Sequence, residues 1–488
     1  MKIFFYFVLP SLYFSISTGR LVFLYTLFRH GVRGPLILDD NYKDILGEKW
    51  TSLGELTGVG ERMHYLLGLR NRKKYIEEEG FLSPKFDPHQ ILIYTSDINR
   101  TMISCYSQLQ GLYPQRANLG EILTIQQEED AYPPILEELK EKDTDIENAI
   151  KELNGSALPY SMIFAPARMI NKNEMRINIV DNEECLKNAK KIINNNKEIK
   201  EFKEVIDKFN IKNAEKLNEY FKKAKAEFNM NEIKNICDIF LCNLAEKRNM
   251  QEFKGKTNID FDDLKEDCLH YYKMFFIYVY HGDEEKIISH VESSQILREI
   301  LYYMKRRLDS DISEIDEDSY FKDYSRPRYI MISGHDFTVA AHLVVLIKAL
   351  CLDMNTKFHF PKFSSQLTLE VRTNKEKSKT YSDYYIVGYF DNDELFNIKV
   401  DEFINRIEKE IWSEQQINDF CGIKSNNNED KSYIDKDTYK IVIIVFICMV
   451  VLIIGLLVTS IILCYKFYKL KKSIDVNQDL NQIKEIKL

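Results

Sequence analysis

The sequence predicts an α/β fold: a doubly wound, mostly parallel sheet core with a helical insertion, followed by one C-terminal transmembrane helix. Three observations predict it. Continuous apolar runs, "LVFLYTLF" (Leu21 to Phe28), "ILIYTS" (Ile91 to Ser96) and "RYIMIS" (Arg328 to Ser333), have the composition of strands buried on both faces. Between and after them lie amphipathic stretches with apolar residues at helical spacing, "GERMHYLLGLRNRKKYIEEEG" from Gly60 and "VESSQILREILYYMKRRL" from Val291. Strands alternating with helices build open sheets with helices on their faces. The third observation is an uncharged run from Ile441 to Tyr465, 25 residues long. At about 1.5 Å per residue it can span a bilayer of ~30 Å with some tilt.

In chain order, residues 1–18 read as a cleaved signal peptide: Lys2, an apolar stretch, then Ser15 and Ser17 spaced like a processing site. Residues 19–135 hold the first part of the α/β core. Residues 136–285 are expected to be a mainly helical insertion, dense in Lys, Glu and Asn and poor in strand-like runs. Residues 286–422 return to the core. A polar stalk, 423–440, leads to the span at 441–465. Lys466, Lys469, Lys471 and Lys472 follow the span, which places the tail, 466–488, in the cytosol. The body of the protein then faces a lumen or the exterior.

Composition supports this layout. A chain of 488 residues suits two domains or one domain with a large insertion. The net charge of −8 gives no support to a nucleic-acid footprint, although it permits a local cationic pocket. Of nine cysteines, Cys448 and Cys464 lie in the span. The others are Cys105, Cys185, Cys237, Cys242, Cys268, Cys351 and Cys421. In an oxidising compartment some of these pair, and an odd number leaves at least one outside any intrachain bridge. Their spacing does not suggest a metal site.

The chemistry concentrates at strand ends. "FRHGVRGP" places Arg29, His30 and Arg33 at the carboxyl end of the first strand, where open α/β sheets bind ligands. Gly31 and Gly34 are expected to let the backbone turn and approach a ligand, and Pro35 stiffens the exit. "TSDINRT" brings Arg100 to the end of the second strand, and "SGHDFTV" brings His335 and Asp336 to the end of the third. Guanidinium forks suit phosphoryl oxygens, an imidazole can attack phosphorus, and a carboxyl can protonate a leaving group. The residues alone do not decide whether His30 or His335 is the nucleophile. Asp97 reads as a helix cap, and His64, His89, His270, His281, His290, His342 and His359 as ordinary residues.

These stretches resemble the histidine acid phosphatases, branch 2 of the histidine phosphatase superfamily, which also holds phytases. "RHGVRGP" matches the family's Arg-His-Gly-x-Arg-x-Pro at every fixed position, and "GHD" matches its distant His-Asp element. "GELTGVG" and "TSDINRT" are similar to its Leu-Thr-x-x-Gly and Asp-x-x-Arg-Thr segments, and "FSSQLTLEV" to a late strand. The resemblance covers roughly Arg20 to Gly422 and is weakest through the helical insertion. It implies a phosphohistidine on His30, phosphoryl contacts from Arg29, Arg33, Arg100 and His335, and proton donation by Asp336. It implies a phosphate monoester substrate, activity at acidic pH and no metal or organic cofactor. Dimers are common in that family, and no stretch here specifies an interface. Plasma membrane and lysosome-like compartments both fit. The runner-up readings are a mutase-like enzyme of the sister branch and a catalytically silent receptor or adhesion ectodomain. The Asn99 sequon would put a glycan at the pocket wall and is expected to be unoccupied; the Asn154 sequon is the better glycan candidate.

Overall fold

The three apolar runs form strands whose side chains are buried throughout, save for the exposed Arg20 at the start of the first. β1 is Arg20–Arg29, β2 Ile91–Thr95 and β3 the short Arg168–Met169; β4 is Tyr329–Gly334, β5 Gln366–Thr373, β6 Tyr384–Phe390 and β7 Asp393–Lys399. The computed structural model describes residues 19–36, 50, 52–114, 122–131, 133, 144–161, 164–170, 183–220, 227–247, 259–282, 286–313, 326–423 and 466. The signal peptide, nearly all of the stalk, the span at 441–465 and the tail beyond Lys466 lie outside them. Among the described residues no helix is long and apolar enough to cross a membrane.

One seven-stranded sheet runs in the order β3-β2-β4-β1-β5-β6-β7. It is mixed, which corrects the expectation of a mostly parallel sheet. β3, β2, β4 and β1 are parallel, whereas β5, β6 and β7 pair antiparallel with β1 and with one another. For β6 and β7 the reason is connection length. Parallel neighbours need a crossover of a dozen residues or so. β6 and β7 are joined only by Asp391 and Asn392, with Asp391 at φ 54°, which allows nothing but a hairpin return.

The helices are α1 Gly58–Arg72, α2 Asn99–Leu112, α3 Ile125–Asp130, α4 Thr144–Leu153, α5 Glu183–Asn196, α6 Lys200–Tyr220 and α7 Met230–Glu246. α8 is Phe261–Met274, α9 Ile287–Ile312, α10 Asp336–Ala349, α11 Met354–Lys357, α12 Val400–Glu410 and α13 Glu414–Phe420. They cover both faces of the sheet. Because side chains alternate along a strand, β1 sends Leu24 and Phe28 to one face and Phe23, Tyr25 and Leu27 to the other. The first face packs against Leu109 and Leu112 of α2. The second packs against Val339 and Leu343 of α10 and Ile296 and Ile300 of α9. Residues of α6, α7 and α8, among them Phe202, Ile236 and Tyr271, complete that same core. α10 is apolar almost all round and buried accordingly.

Cys237–Cys268 joins α7 to α8, and Cys185–Cys421 ties the start of α5 to the end of α13. Cys105, Cys242 and Cys351 carry no disulfide. Residues 1–423 form one compact unit, and 424–488 are a second, of which only Lys466 is described.

Candidate active site

The parallel register aligns the strand ends. Phe28 lies beside Ser333, which lies beside Thr95, so the residues that follow each strand emerge along one edge. Arg29 is the last residue of β1, Arg100 stands in the first turn of α2, and His335 precedes α10, of which Asp336 is the first residue. The structure therefore brings together all six residues expected from the sequence.

The strand-end loop is held on every side by backbone. His30 N donates to Gly334 O at 3.0 Å, Ser364 N to His30 O at 3.1 Å, and Thr57 N to Val32 O at 3.0 Å. Gly31 N donates to Ser104 Oγ at 3.1 Å. Gly31 is not in the left-handed region, so its freedom is not used for a turn. It is used for close approach to α1: a Cβ on Gly31 would stand 2.5 Å from Gly60 O, and one on Gly60 would stand 2.3 Å from Val32 O. Backbone cannot yield as a side-chain tip can. Gly60→Ala is therefore expected to cost about 1–3 kcal/mol or more by overpacking, seen as a lowered midpoint in thermal melting.

His30 is buried, with its Nδ1 2.8 Å from Gly31 O. A carbonyl only accepts, so Nδ1 carries the hydrogen and Nε2 keeps the lone pair in the neutral ring. Burial, then the charges of Arg29, Arg33 and Arg100, hold the His30 pKa well below its usual 6.5. His335 lies with its ring centroid 5.6 Å from that of His30. Arg100 Nη2 reaches His335 Nδ1 at 3.4 Å, which makes Nδ1 the acceptor and leaves Nε2–H to donate to Ser96 Oγ at 3.0 Å. Burial and Arg100 push the His335 pKa down to about 3.

The arginines are individually anchored. Arg29 Nη1 donates to Pro361 O at 2.8 Å, Nη2 meets Asp336 Oδ2 at 2.9 Å, and the guanidinium lies over Phe363 at 4.3 Å. Arg33 is held by Asp238 through two contacts, 2.9 and 3.2 Å. The Nε–H groups of Arg29, Arg33 and Arg100 are buried without a hydrogen-bond partner among the described residues. Buried donors are normally satisfied, and three such groups around one histidine suit an anion with several oxygens. Asp336 Oδ1 accepts from Phe337 N at 2.9 Å at the start of α10. Burial raises the Asp336 pKa, but Arg29 and Arg33 outweigh it, and the result is below the usual carboxylate value. Asp336 keeps 23% of its side chain exposed against 16% for Asp238, so an incoming group can reach its carboxyl.

The sequence reading missed several contributors. Asp238 and Cys242 come from α7; Phe360 and Phe363 flank Arg29; Ser96 buttresses His335. His64, read as ordinary, sits beneath the loop with Nδ1 3.1 Å from Gln108 Oε1 and Nε2 3.2 Å from Ser364 Oγ. The legible signal for α7 was the spacing of Asp238, Cys242 and Glu246, a polar stripe on an otherwise apolar helix face. Among the described residues no group of three or more His, Cys, Asp or Glu could hold a metal.

Over 106 residues the chain is 37% identical to the testicular acid phosphatase of Homo sapiens, covering 21% of this chain and 24% of that protein. Over 107 residues it is 35% identical to the prostatic acid phosphatase of Bos taurus, covering 22% of this chain and 27% of that protein. The chain thus spans about a quarter of the length of the curated relatives it matches. Its fold is similar to that of the Klebsiella sp ASR1 phytase at 13% identity and a TM-score of 0.49, over 82% of this chain and 97% of that one. The family model of the histidine phosphatase superfamily (branch 2) matches residues 38–387, a span that begins after Pro35 and takes in Arg100, His335 and Asp336. With more than half of its length matched, the chain belongs to the histidine phosphatase superfamily, branch 2.

Proposed function

We propose that this protein is a membrane-anchored acid phosphatase that hydrolyses phosphate monoesters through a phosphohistidine on His30. One observation carries the reading: His30 is tied by Nδ1 to Gly31 O, within the field of three guanidinium groups, so Nε2 is the free nucleophilic atom. In the first step Nε2 forms a bond to phosphorus as the phosphorus–oxygen bond to the alcohol breaks, and Asp336 gives its proton to the departing oxygen. In the second step water attacks phosphorus, Asp336 takes the proton of the water, and phosphate leaves with His30 restored. Arg29, Arg33, Arg100 and His335 hold the equatorial oxygens, where charge spreads in the transition state.

Asp336 must enter this cycle protonated, although Arg29 favours its anion. A monoanionic monoester brings the missing proton, and its oxygens take over Arg29, which releases the carboxyl to accept it. The second ionisation of a phosphate monoester lies near ~6. As pH rises through that value the proton-bearing substrate disappears and kcat/KM falls; on the acid side His30 stays neutral well below 6.5. Turnover of an alkyl phosphate monoester, whose leaving group needs that proton, followed from about pH 4 to about pH 8 with and without a chelator, tests this. Chelator-resistant turnover that declines above about pH 6 is expected. A folded protein without turnover at any pH would leave the silent receptor as the better reading.

A body facing a lumen or the exterior is supported by the leader-like composition of residues 1–18, by the apolar run at 441–465 with its lysines, and by the disulfides Cys185–Cys421 and Cys237–Cys268. The helical stretch 136–285 is assigned to the wall of the substrate cleft, supported by the contact of Asp238 with Arg33. Asn154 stands exposed, which suits a glycan.

A further inference from the structure

Asp238, Cys242 and Glu246 share one side of α7, and each of them touches the strand-end loop or its approach. Asp238 takes Arg33 Nη2 at 2.9 Å and Nη1 at 3.2 Å, and it also accepts from Leu36 N at 2.9 Å. Cys242 Sγ lies 3.7 Å from Arg33 Nη1, and Glu246 accepts from Thr57 Oγ1. The Cys237–Cys268 bridge sits next to Asp238 in sequence and fixes the rotation of α7 against α8.

The terminal nitrogens of Arg33 are spent on Asp238 and on Gly34 O, 2.9 Å from Nη1. Among the described residues Nε is the only nitrogen of Arg33 without a partner. A two-pronged carboxylate contact fixes the plane of a guanidinium as a single hydrogen bond does not. The direction of that Nε–H is therefore set by a residue from the helical stretch, far from the motif that supplies Arg33. We propose that Asp238 is a positioning residue: it orients Arg33 so that Nε–H meets the transferring phosphoryl group, and it offsets a charge that would otherwise hold phosphate too firmly. This rests on the phosphatase reading above.

Charge and geometry act in opposite directions here, which makes the proposal separable. Removing the carboxylate leaves Arg33 as an uncompensated buried cation, which strengthens its hold on any phosphate oxyanion. It also frees the guanidinium plane, and a misplacement of an ångström or so costs up to about 100-fold in rate. Asp238→Ala in the full-length protein is therefore expected to lower kcat on p-nitrophenyl phosphate by roughly 10- to 100-fold while the inhibition constant of inorganic phosphate stays level or falls. In an Arg33→Ala background the same substitution is expected to add nothing, because its effect passes through Arg33.

An inhibition constant that rises in step with the loss of kcat would mark Asp238 as a packing residue and overturn the proposal. So would a full Asp238→Ala effect in the Arg33→Ala background. If the alanine variant does not fold, Asp238→Asn keeps the shape, removes the charge and carries the same two comparisons. Wild-type protein without turnover would overturn the phosphatase reading and this inference together; wild-type turnover with unaltered Asp238 variants would overturn this inference alone.

Discussion

His30→Ala is expected to reduce turnover of p-nitrophenyl phosphate by more than about 10,000-fold, the scale on which loss of a covalent nucleophile acts. The protein should remain folded, since the loop is fixed mainly by backbone contacts: His30 N to Gly334 O, Ser364 N to His30 O and Thr57 N to Val32 O. Thermal melting would check that. Rapid quenching of the wild type with labelled substrate should find phosphate attached at His30, and none should be found in the variant. A variant that retains label would move the nucleophile to His335, whose Nε2 is engaged with Ser96 in this structure.

Asp336→Asn is expected to divide substrates by leaving group. Esters of alkyl alcohols need a proton on the departing oxygen and should lose about 100- to 10,000-fold in kcat, the usual contribution of a positioned acid. p-Nitrophenyl phosphate, whose leaving group departs as a stable anion, should lose much less. The substitution also removes the carboxylate 2.9 Å from Arg29, so phosphate affinity should not weaken. Comparing kcat for one aryl and one alkyl monoester decides the matter, and an equal loss on both would remove Asp336 from the role of acid.

Much of this site was legible because its parts are local. Each of β1, β2 and β4 announces itself by a continuous apolar run, and each leads within a few residues to an arginine, a histidine or an aspartate. The rule that ligands sit beyond the carboxyl ends of parallel strands then places them together without any knowledge of the sheet order. What escaped is non-local. The antiparallel half of the sheet depends on β5, β6 and β7 choosing one another, and alternation such as "YYIVGYF" does not state a partner. Asp238 reaches Arg33 across 205 positions, and Cys185 pairs with Cys421 across 236. Gly31 is legible as a special position but for a different use: it makes room for Gly60, where the sequence suggests a turn and a close approach to a ligand.

The sheet order has a consequence for how the molecule is made. β1 is the first strand to be synthesised, yet its neighbours are β4 and β5, and Thr26 of β1 reaches its hydrogen-bond partner Tyr329 across 303 positions. At a synthesis rate of ~5–20 residues per second, that interval is roughly 15–60 s. Throughout it, ten residues of the composition RLVFLYTLFR stand without the strands that will cover their hydrogen-bonding edges. The chain therefore leaves an apolar strand without its partners for that interval and closes the pocket only when Gly334 and Ser365 arrive to receive His30 and Arg29. A polypeptide ending before β4 would carry the whole RHGVRGP stretch and have nowhere to seat it.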